Sequence, residues 1–339
     1  MLIQTHALPH EIRYGRAEDA EQLAQSFTLA YHVSSHPCQD PRYVRASLQD
    51  PDDTWFVYVE GGKILACLGH RYDAWHHAYE IVRGITHPAY QGLGLATILA
   101  KQSCNDACQR ADGDLLFGFP RNRSMARILA HLVEPPLLPT GHDGGMNIAH
   151  GVREYHLVSL GFPRDRRIRR LVPSHSTIAH SRLITEQLLG AFAFDTQTAV
   201  YPPAYIVGPT SPHQARIGSS VFTYCYDPAD LSGALQITTL TDASADMEHI
   251  AQALAQFLAR FPAAQHMSAA VLVDKEALIG HMRRMGFTIT AYLPAWYALA
   301  RERYDCVLLV KRHSREEPVA HGTQEVVSAL THAFSCFYA

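Results

Sequence analysis

The sequence predicts an α/β (mixed α+β) protein of two domains, on three observations. Strand-like and helix-like apolar patterns alternate along the first 160 residues. At 339 residues the chain exceeds the ~250–300 at which single hydrophobic cores stop growing. And the second half repeats part of the first half's element order.

In the first half, Glu11 to Gly15 reads as a short strand. Ala17 to Tyr31 follows as a helix, with Leu23, Phe27 and Ala30 at helical spacing. A second helix is predicted over Pro41 to Leu48. Thr54–Val59 and Lys63–Gly69 form a hairpin about the turn residues Glu60-Gly61-Gly62. Tyr79 to Thr86 is the next strand, and a helix runs from about Gly94 to Arg110. Leu115–Phe119 reads as a buried strand, Ser124–Val133 as a helix and Val152–Leu160 as a closing strand. The second half offers strands at Leu235–Leu240, Ser268–Val273, Thr288–Trp296 and Asp305–Lys311, with helices at Asp246–Arg260 and Lys275–Met285. The boundary falls in a run carrying five arginines between Arg164 and Arg170, punctuated by Pro163 and Pro173. The domains expected are therefore 1–162, an Arg-rich linker at 163–175, 176–313, and a tail at 314–339. In that tail Val326, Val327, Leu330 and Phe334 recur at the spacing of a docked helix.

Composition narrows the function classes. Hydrophobic residues make up 47% and charged ones 18%, and no window approaches the ~18 uncharged apolar residues of a membrane span. The first residues lack the basic and apolar regions of a secretory signal, so a cytoplasmic protein is expected. A net charge of −3 gives no chain-wide attraction to nucleic acid or anionic membrane. Seven scattered cysteines make a poor disulfide framework. Cys104 and Cys108 could meet on one helix face, but no second pair at zinc-like spacing accompanies them, so no metal is expected. The groups His32/His36/Cys38 and His76/His77 fall in predicted loops without further ligands, where solvated or locally hydrogen-bonded side chains are the simpler reading.

The informative stretch is Thr86-His87-Pro88-Ala89-Tyr90-Gln91-Gly92-Leu93-Gly94-Leu95-Ala96, between a strand and a helix. Glycines let such a turn aim its amides inward, and the helix adds free N–H groups and the positive end of its dipole, so the loop suits a phosphate anion. It lacks the Lys-Ser/Thr of a P-loop and a complete G-x-G-x-x-G. It resembles the pyrophosphate loop of the GCN5-related N-acetyltransferase (GNAT) superfamily, Gln/Arg-x-x-Gly-x-Gly/Ala after Pro-x-Tyr. Gln91, Gly94 and Ala96 fill the motif, and Pro88 and Tyr90 its preface. The likeness extends in element order over about residues 11–160.

The resemblance implies the GNAT fold, a mixed, mostly antiparallel sheet flanked by helices. It also implies acetyl-CoA or another acyl-CoA as cosubstrate. Gln91 and the amides of Gly92, Leu93, Gly94, Leu95 and Ala96 would hold the pyrophosphate, and the backbone of Ile85 and Thr86 the pantetheine. The reaction implied is direct transfer to an amine. Glu80, on the strand before the loop and in alternation with Val82, Gly84 and Thr86, is the expected base, against the plainer reading of an exposed strand-start carboxylate. Asn122 fills the family's Asn after the fifth strand, but the Tyr seven residues later, the family's acid, falls at Leu129. His131 or Tyr155 would substitute, or solvent would protonate the thiolate. The helix's usual Gly-Phe ending is replaced by Glu134-Pro135-Pro136. The loop Thr140–Asn147 lies where the family shapes its acceptor site, with His142 and Asp143 as substrate candidates, although Asp143-Gly144-Gly145 also reads as a plain turn.

The second half resembles the family more weakly. Met285-Gly286-Phe287 runs into a strand as in a GNAT core, but the segment before Asp246 has no Gln/Arg-x-x-Gly-x-Gly/Ala. Two tandem GNAT-like domains are expected, the second degenerate. The function expected is acyl-CoA-dependent N-acylation, most simply acetylation, of the primary amine of a small molecule. The alternatives are a Fem-like transferase drawing on aminoacyl-tRNA, for which the arginine run would contact RNA, and a non-catalytic acyl-CoA sensor.

Overall fold

A computed structural model describes residues 10–31, 36–149, 151–228, 232–244, 246–314, 316–335 and 337. His32 therefore lies outside the described residues. The first half builds β1 (His10–Tyr14), α1 (Ala20–Tyr31), α2 (Pro41–Leu48), β2 (Asp53–Glu60), β3 (Lys63–Asp73), β4 (Ala78–Thr86), α3 (Leu95–Gln109), β5 (Leu115–Gly118) and α4 (Arg123–His131). It goes on through β6 (Leu138–His142), β7 (Asn147–Ala149), β8 (Val152–Glu154) and β9 (Leu157–Gly161). Next come β10 (Ile168–Val172), β11 (Phe194–Thr198), β12 (His213–Ile217), β13 (Ser220–Tyr226), β14 (Ala234–Asp242) and α5 (Met247–Leu258). The chain closes with β15 (His266–Leu272), α6 (Glu276–Arg284), β16 (Thr288–Leu299), β17 (Glu302–Arg312) and α7 (Gln324–Ser335).

Local chemistry explains the elements that frame the site. The amphipathic α1 buries Leu23, Ala24 and Phe27, while α2 starts at Pro41 with the Asp40 carboxylate accepting from the Arg42 amide. The β2–β3 hairpin turns through Gly61 and Gly62, both at positive φ. These strands form one mixed sheet in the order β1-β2-β3-β4-β5-β9-β6-β16-β17-β15-β14-β13-β12. One apolar cluster lies under α3 and α4, with Leu99, Cys104 and Leu129, and another under α1 and α2, with Phe27, Val44 and Trp55.

The order contains a repeat. β2-β3-β4-β5-β9-β6 is matched by β12-β13-β14-β15-β17-β16, and each series has one parallel pair joined through a helix, β4/β5 by α3 and β14/β15 by α5. The series meet edge to edge where Gly141 of β6 pairs with Ala291 of β16. A Cβ on Gly141 would lie 2.1 Å from that of Ala291, so only glycine permits the contact.

Several expectations need correction. The predicted linker at 163–175 contains β10, which pairs with β11 and β17. Arg170 is buried and donates to Asp305 and Tyr292. Arg164 pairs with Glu134, Arg167 with Asp195 and Arg169 with Glu302, while Arg166 donates to the Gly113 carbonyl. The run is thus a turn leading into a strand, with its arginines paired or hydrogen-bonded within the chain. The closing strand expected over 152–160 is two strands in different sheets, β8 and β9. Thr140 to His142, read as loop, is strand β6. His76 is packed between the halves, its ring 4.1 Å from that of Trp296, where Arg303 donates to the carbonyls of His76 and His77. The tail folds back on the chain: Val319 pairs with Glu154, and α7 buries Val327 and Phe334.

Candidate active site

The Gly-rich turn joins β4 to α3 as the sequence suggests. A single helical turn at Pro88–Tyr90 leads to Gln91, and Gly92 and Gly94 then take φ of +83° and +80°. Gly94 is the residue before α3, whose first amides have no carbonyl one turn back. Among the described residues, no group in the chain accepts from the amides of Gly92, Leu93, Gly94, Leu95 or Ala96. A Cβ at Gly92 or Gly94 would meet nothing within 4 Å, so the glycines serve the left-handed backbone and leave the concavity open.

Beside the turn the sheet parts. β4 and β5 pair from Ala78/Leu115 to Ile81/Gly118 and no further. Two features end the pairing. Pro120 has no N–H to donate, and β4 bulges at Arg83, whose φ is +60°. The edge of β4 from Val82 to Thr86 is left facing a cavity of about 620 Å³ that reaches Pro88 and Gln91 on one side and α1, α2 and α4 on the other. Ile85 and Thr86 both line it, with Asn122 and Leu129 on the opposite wall.

The cavity is polar at its centre. Glu80 lines it and accepts from Arg71 Nη2 at 2.6 Å through Oε2, while Oε1 takes no hydrogen bond among the described residues. Arg83 makes a bidentate pair with Asp53, at 2.9 and 2.8 Å, and stacks over Trp55. Arg121 donates through Nη2 to Glu154 at 2.7 Å, and the same carboxylate takes His321 at 2.7 Å. Burial lowers the His36 pKa to about 4, helped by the Arg83 charge, and raises the Cys38 thiol to about 11. Both residues line the cavity as neutral groups at pH 7.

The alternation that set Glu80 beside Val82, Gly84 and Thr86 holds only as far as Val82. Glu80 lies opposite Arg71 and Val82 opposite Gly69, but the extra residue at the bulge puts Ile85, not Gly84, opposite Cys67. The acid candidates lie elsewhere. Tyr155 does not line the cavity; its hydroxyl donates to Glu317, and burial, then that bond, push its pKa well up. His131 is exposed in the last turn of α4, two residues past the lining Leu129 and so on another helix face. His142 and Asp143 are buried and committed internally. His142 accepts from the Gly144 amide and contacts Thr331 Oγ1, while Asp143 accepts from Gly145, Asn147 and His156. Asn122 lines the cavity, but its side-chain oxygen caps α4 by accepting from Met125. Sequence reading missed Tyr31, Tyr43, Arg71, Arg83, Arg121 and His156, all in the lining.

The matching place in the second half is filled by the chain itself. β14 and β15 pair only from Ala234/His266 to Ile237/Ala269. Tyr205-Ile206-Val207 enters the gap beyond, with Ile206 bridging both Leu240 and Val271. The Tyr205 amide donates to Leu240, the Val207 amide to Ala270 and the Leu272 amide to Tyr205. Ahead of α5, where the first half has its open glycine turn, the carboxylate of Asp242 accepts from Ser219, Ser220 and Ser244. Burial works against that charge, but the hydroxyl and amide bonds outweigh it and hold the pKa far below the usual carboxylate range.

Residues 20–117 match the family described as Acetyltransferase (GNAT) family. That segment runs from α1 through the Gly-rich turn to β5 and is similar in sequence to GNAT-family domains. No curated protein matches the chain. Similar solved structures include a putative acetyltransferase, yncA, from Salmonella typhimurium with acetyl-CoA, 15% identical over 47% of this chain and 96% of that one, TM-score 0.41. Another is the ribosomal-protein-S5-alanine acetyltransferase of Vibrio fischeri, 19% identical over 46% and 94%, TM-score 0.39. A spermidine N-acetyltransferase chimera from Vibrio cholerae and hSSAT is 16% identical over 45% and 95%, TM-score 0.37. Among the described residues, no helix is long and apolar enough to cross a membrane and no cluster of three or more His, Cys, Asp or Glu is placed to hold a metal.

Proposed function

We propose that the protein is an acyl-CoA-dependent N-acyltransferase, most simply an acetyltransferase, whose acceptor is the primary amine of a small molecule. The observation that carries this reading is the layout of the site: the unpaired β4 edge, the carboxylate of Glu80 and Gln91 line one cavity, and the unpartnered amides of residues 92–96 follow Gln91 at its end. Acyl-CoA, when bound, supplies the thioester whose carbonyl the amine attacks. The loop amides would hold its pyrophosphate, and Ile85 and Thr86 its pantetheine arm. Glu80, steadied by Arg71, would take the amine's proton on its unbonded Oε1.

On this reading residues 1–162 form the acyl-CoA domain and 176–313 a degenerate copy, with β10 in the shared sheet between them. The repeated strand order supports the copy, and its filled gap supports its degeneracy. A Fem-like transfer from tRNA has less support, because all five arginines of the run at 164–170 have partners within the chain.

The test is a mass-spectrometric screen of amines and amino acids incubated with the full chain and acetyl-CoA, with thiol release followed in parallel. Acylated product with matching thiol supports the reading. Tight binding of acetyl-CoA with no release for any amine would replace it with a sensor.

A further inference from the structure

We propose that His156 is a catalytic residue that donates a hydrogen bond from Nε2–H to the negative charge developing on the thioester during transfer, taking the place left empty by Leu129. The proposal rests on the acyl-transfer reading above. Among the cavity's polar side chains, His156 has its ring state fixed by its neighbours. Its backbone amide donates to Asp143 Oδ1 at 3.0 Å, and the next amide, Leu157, donates to the carbonyl of Pro120 at 3.2 Å. These two bonds seat it beside the point where β5 leaves β4.

The ring is oriented by Asn147. Its Nδ2 lies 3.1 Å from Asp143 Oδ2 and 3.3 Å from His156 Nδ1. Asp143 also accepts two backbone amides, so it is an acceptor only, and the Asn147 amide must turn its nitrogen, not its oxygen, toward it. One hydrogen of that NH₂ group serves Asp143 and the other serves Nδ1. Nδ1 is therefore an acceptor, and the proton of the neutral ring is on Nε2. Nε2 has no partner among the described residues, is not sealed off from solvent, and belongs to a cavity-lining side chain.

The chemistry balances without a proton leaving this ring. The amine nitrogen attacks the carbonyl carbon, the C–N bond forms and the C–S bond breaks. The surplus amine proton goes to Glu80, and sulfur departs with the electron pair as a thiolate that takes its proton from water. A neutral imidazole is a poor acid but a competent donor to developing charge. Burial keeps His156 below its ordinary pKa; Asp143 and Glu154 oppose that shift, and Arg121 and His321 add to it. Asp143 and Asn147 are positioning residues on this account, which gives the 140–147 loop an indirect part in the reaction.

The test uses the full chain with ¹⁵N-labelled histidine and, as probe, acetyl-CoA with a mixture of free amino acids and simple primary amines. NMR of the free protein is expected to show His156 as the neutral Nε2–H tautomer at pH 7. Asn147→Asp should move the proton to Nδ1 and lower kcat with acetyl-CoA affinity kept. His156→Phe should lower kcat by about 10²–10³-fold at unchanged acetyl-CoA affinity, and His156→Gln, which restores an N–H, should recover about a tenth or more of the rate. A wild-type Nδ1–H tautomer, or full turnover in His156→Phe, overturns the proposal and leaves the acyl-transfer reading standing. A wild type that releases no thiol overturns both. Should His156→Phe fail to fold, the tautomer and Asn147→Asp decide.

Discussion

Glu80 pairs with Arg71 through one carboxylate oxygen and, among the described residues, keeps the other unbonded at a cavity wall. If it removes the acceptor's proton, Glu80→Gln should lower kcat by roughly 10²–10⁴-fold while acetyl-CoA affinity is kept, because the amide keeps the shape and loses the basicity. A near-normal rate from pH 6 to 9, measured by thiol release, would move the base role elsewhere. The buried histidines make a separate prediction. His36, His70 and His142 have pKa values lowered to about 4, chiefly by burial. Between pH 6.5 and 4 the unfolded chain binds protons at these rings that the native chain refuses, so stability should fall as pH falls through that window. The melting temperature should drop steadily from pH 7 to 4.5, and one that stays level would show these rings to be solvated. At this scale the sequence was legible where backbone conformation dictates residue type, as at Gly92 and Gly94. It was not legible at Arg71, Arg121 or His156, whose place at the cavity depends on pairings across strands and loops that no local residue pattern shows. Nor did any residue pattern announce the bulge at Arg83 that shifts the parity beyond it.

The parting of β4 from β5 is the element that makes a site, and the second half shows what the same parting becomes when filled. The first-half elements were readable because each carries its own period and punctuation: α2 starts at its Asp-Pro cap, the β2–β3 hairpin turns at two glycines, and α3 begins at the last glycine of the turn. Strands β10, β11, β12 and β13 were missed. The sequences of β11 and β12, such as His213-Gln214-Ala215-Arg216-Ile217, are polar enough to resemble loops, and these strands are defined by pairing at a sheet edge. β13, Ser220–Tyr226, is instead paired on both sides and carries the β-branched and aromatic residues of a strand. Ile206 is fully buried in the gap between β14 and β15. Ile206→Ala should cost about 2–5 kcal/mol in denaturant unfolding, the usual cost of truncating a buried aliphatic side chain. It should not create a second coenzyme A site, because the Asp242 carboxylate still occupies the place of an anion. Acetyl-CoA binding gained in this variant would show the gap to be a latent site.

At the scale of the molecule the two halves are one sheet. β6 meets β16, Trp296 packs against His76 and Phe117, and the tail runs back over Glu154. Cutting the chain at residue 162 would bare the β6 edge and the Trp296-facing surface, so residues 1–162 expressed alone should be poorly soluble and melt below the full chain. A soluble, fully active fragment would show the second half to be dispensable. The central claim is that one thioester binds per chain, at the Gly-rich turn of the first half. Calorimetric titration of coenzyme A into the full-length protein tests it most directly, with Gly94→Val alongside. Valine meets no neighbour at this position but is forced out of the left-handed backbone that aims the amides. The account predicts one site per chain in the wild type and its loss in Gly94→Val; two sites, or an unchanged affinity in the variant, would contradict it.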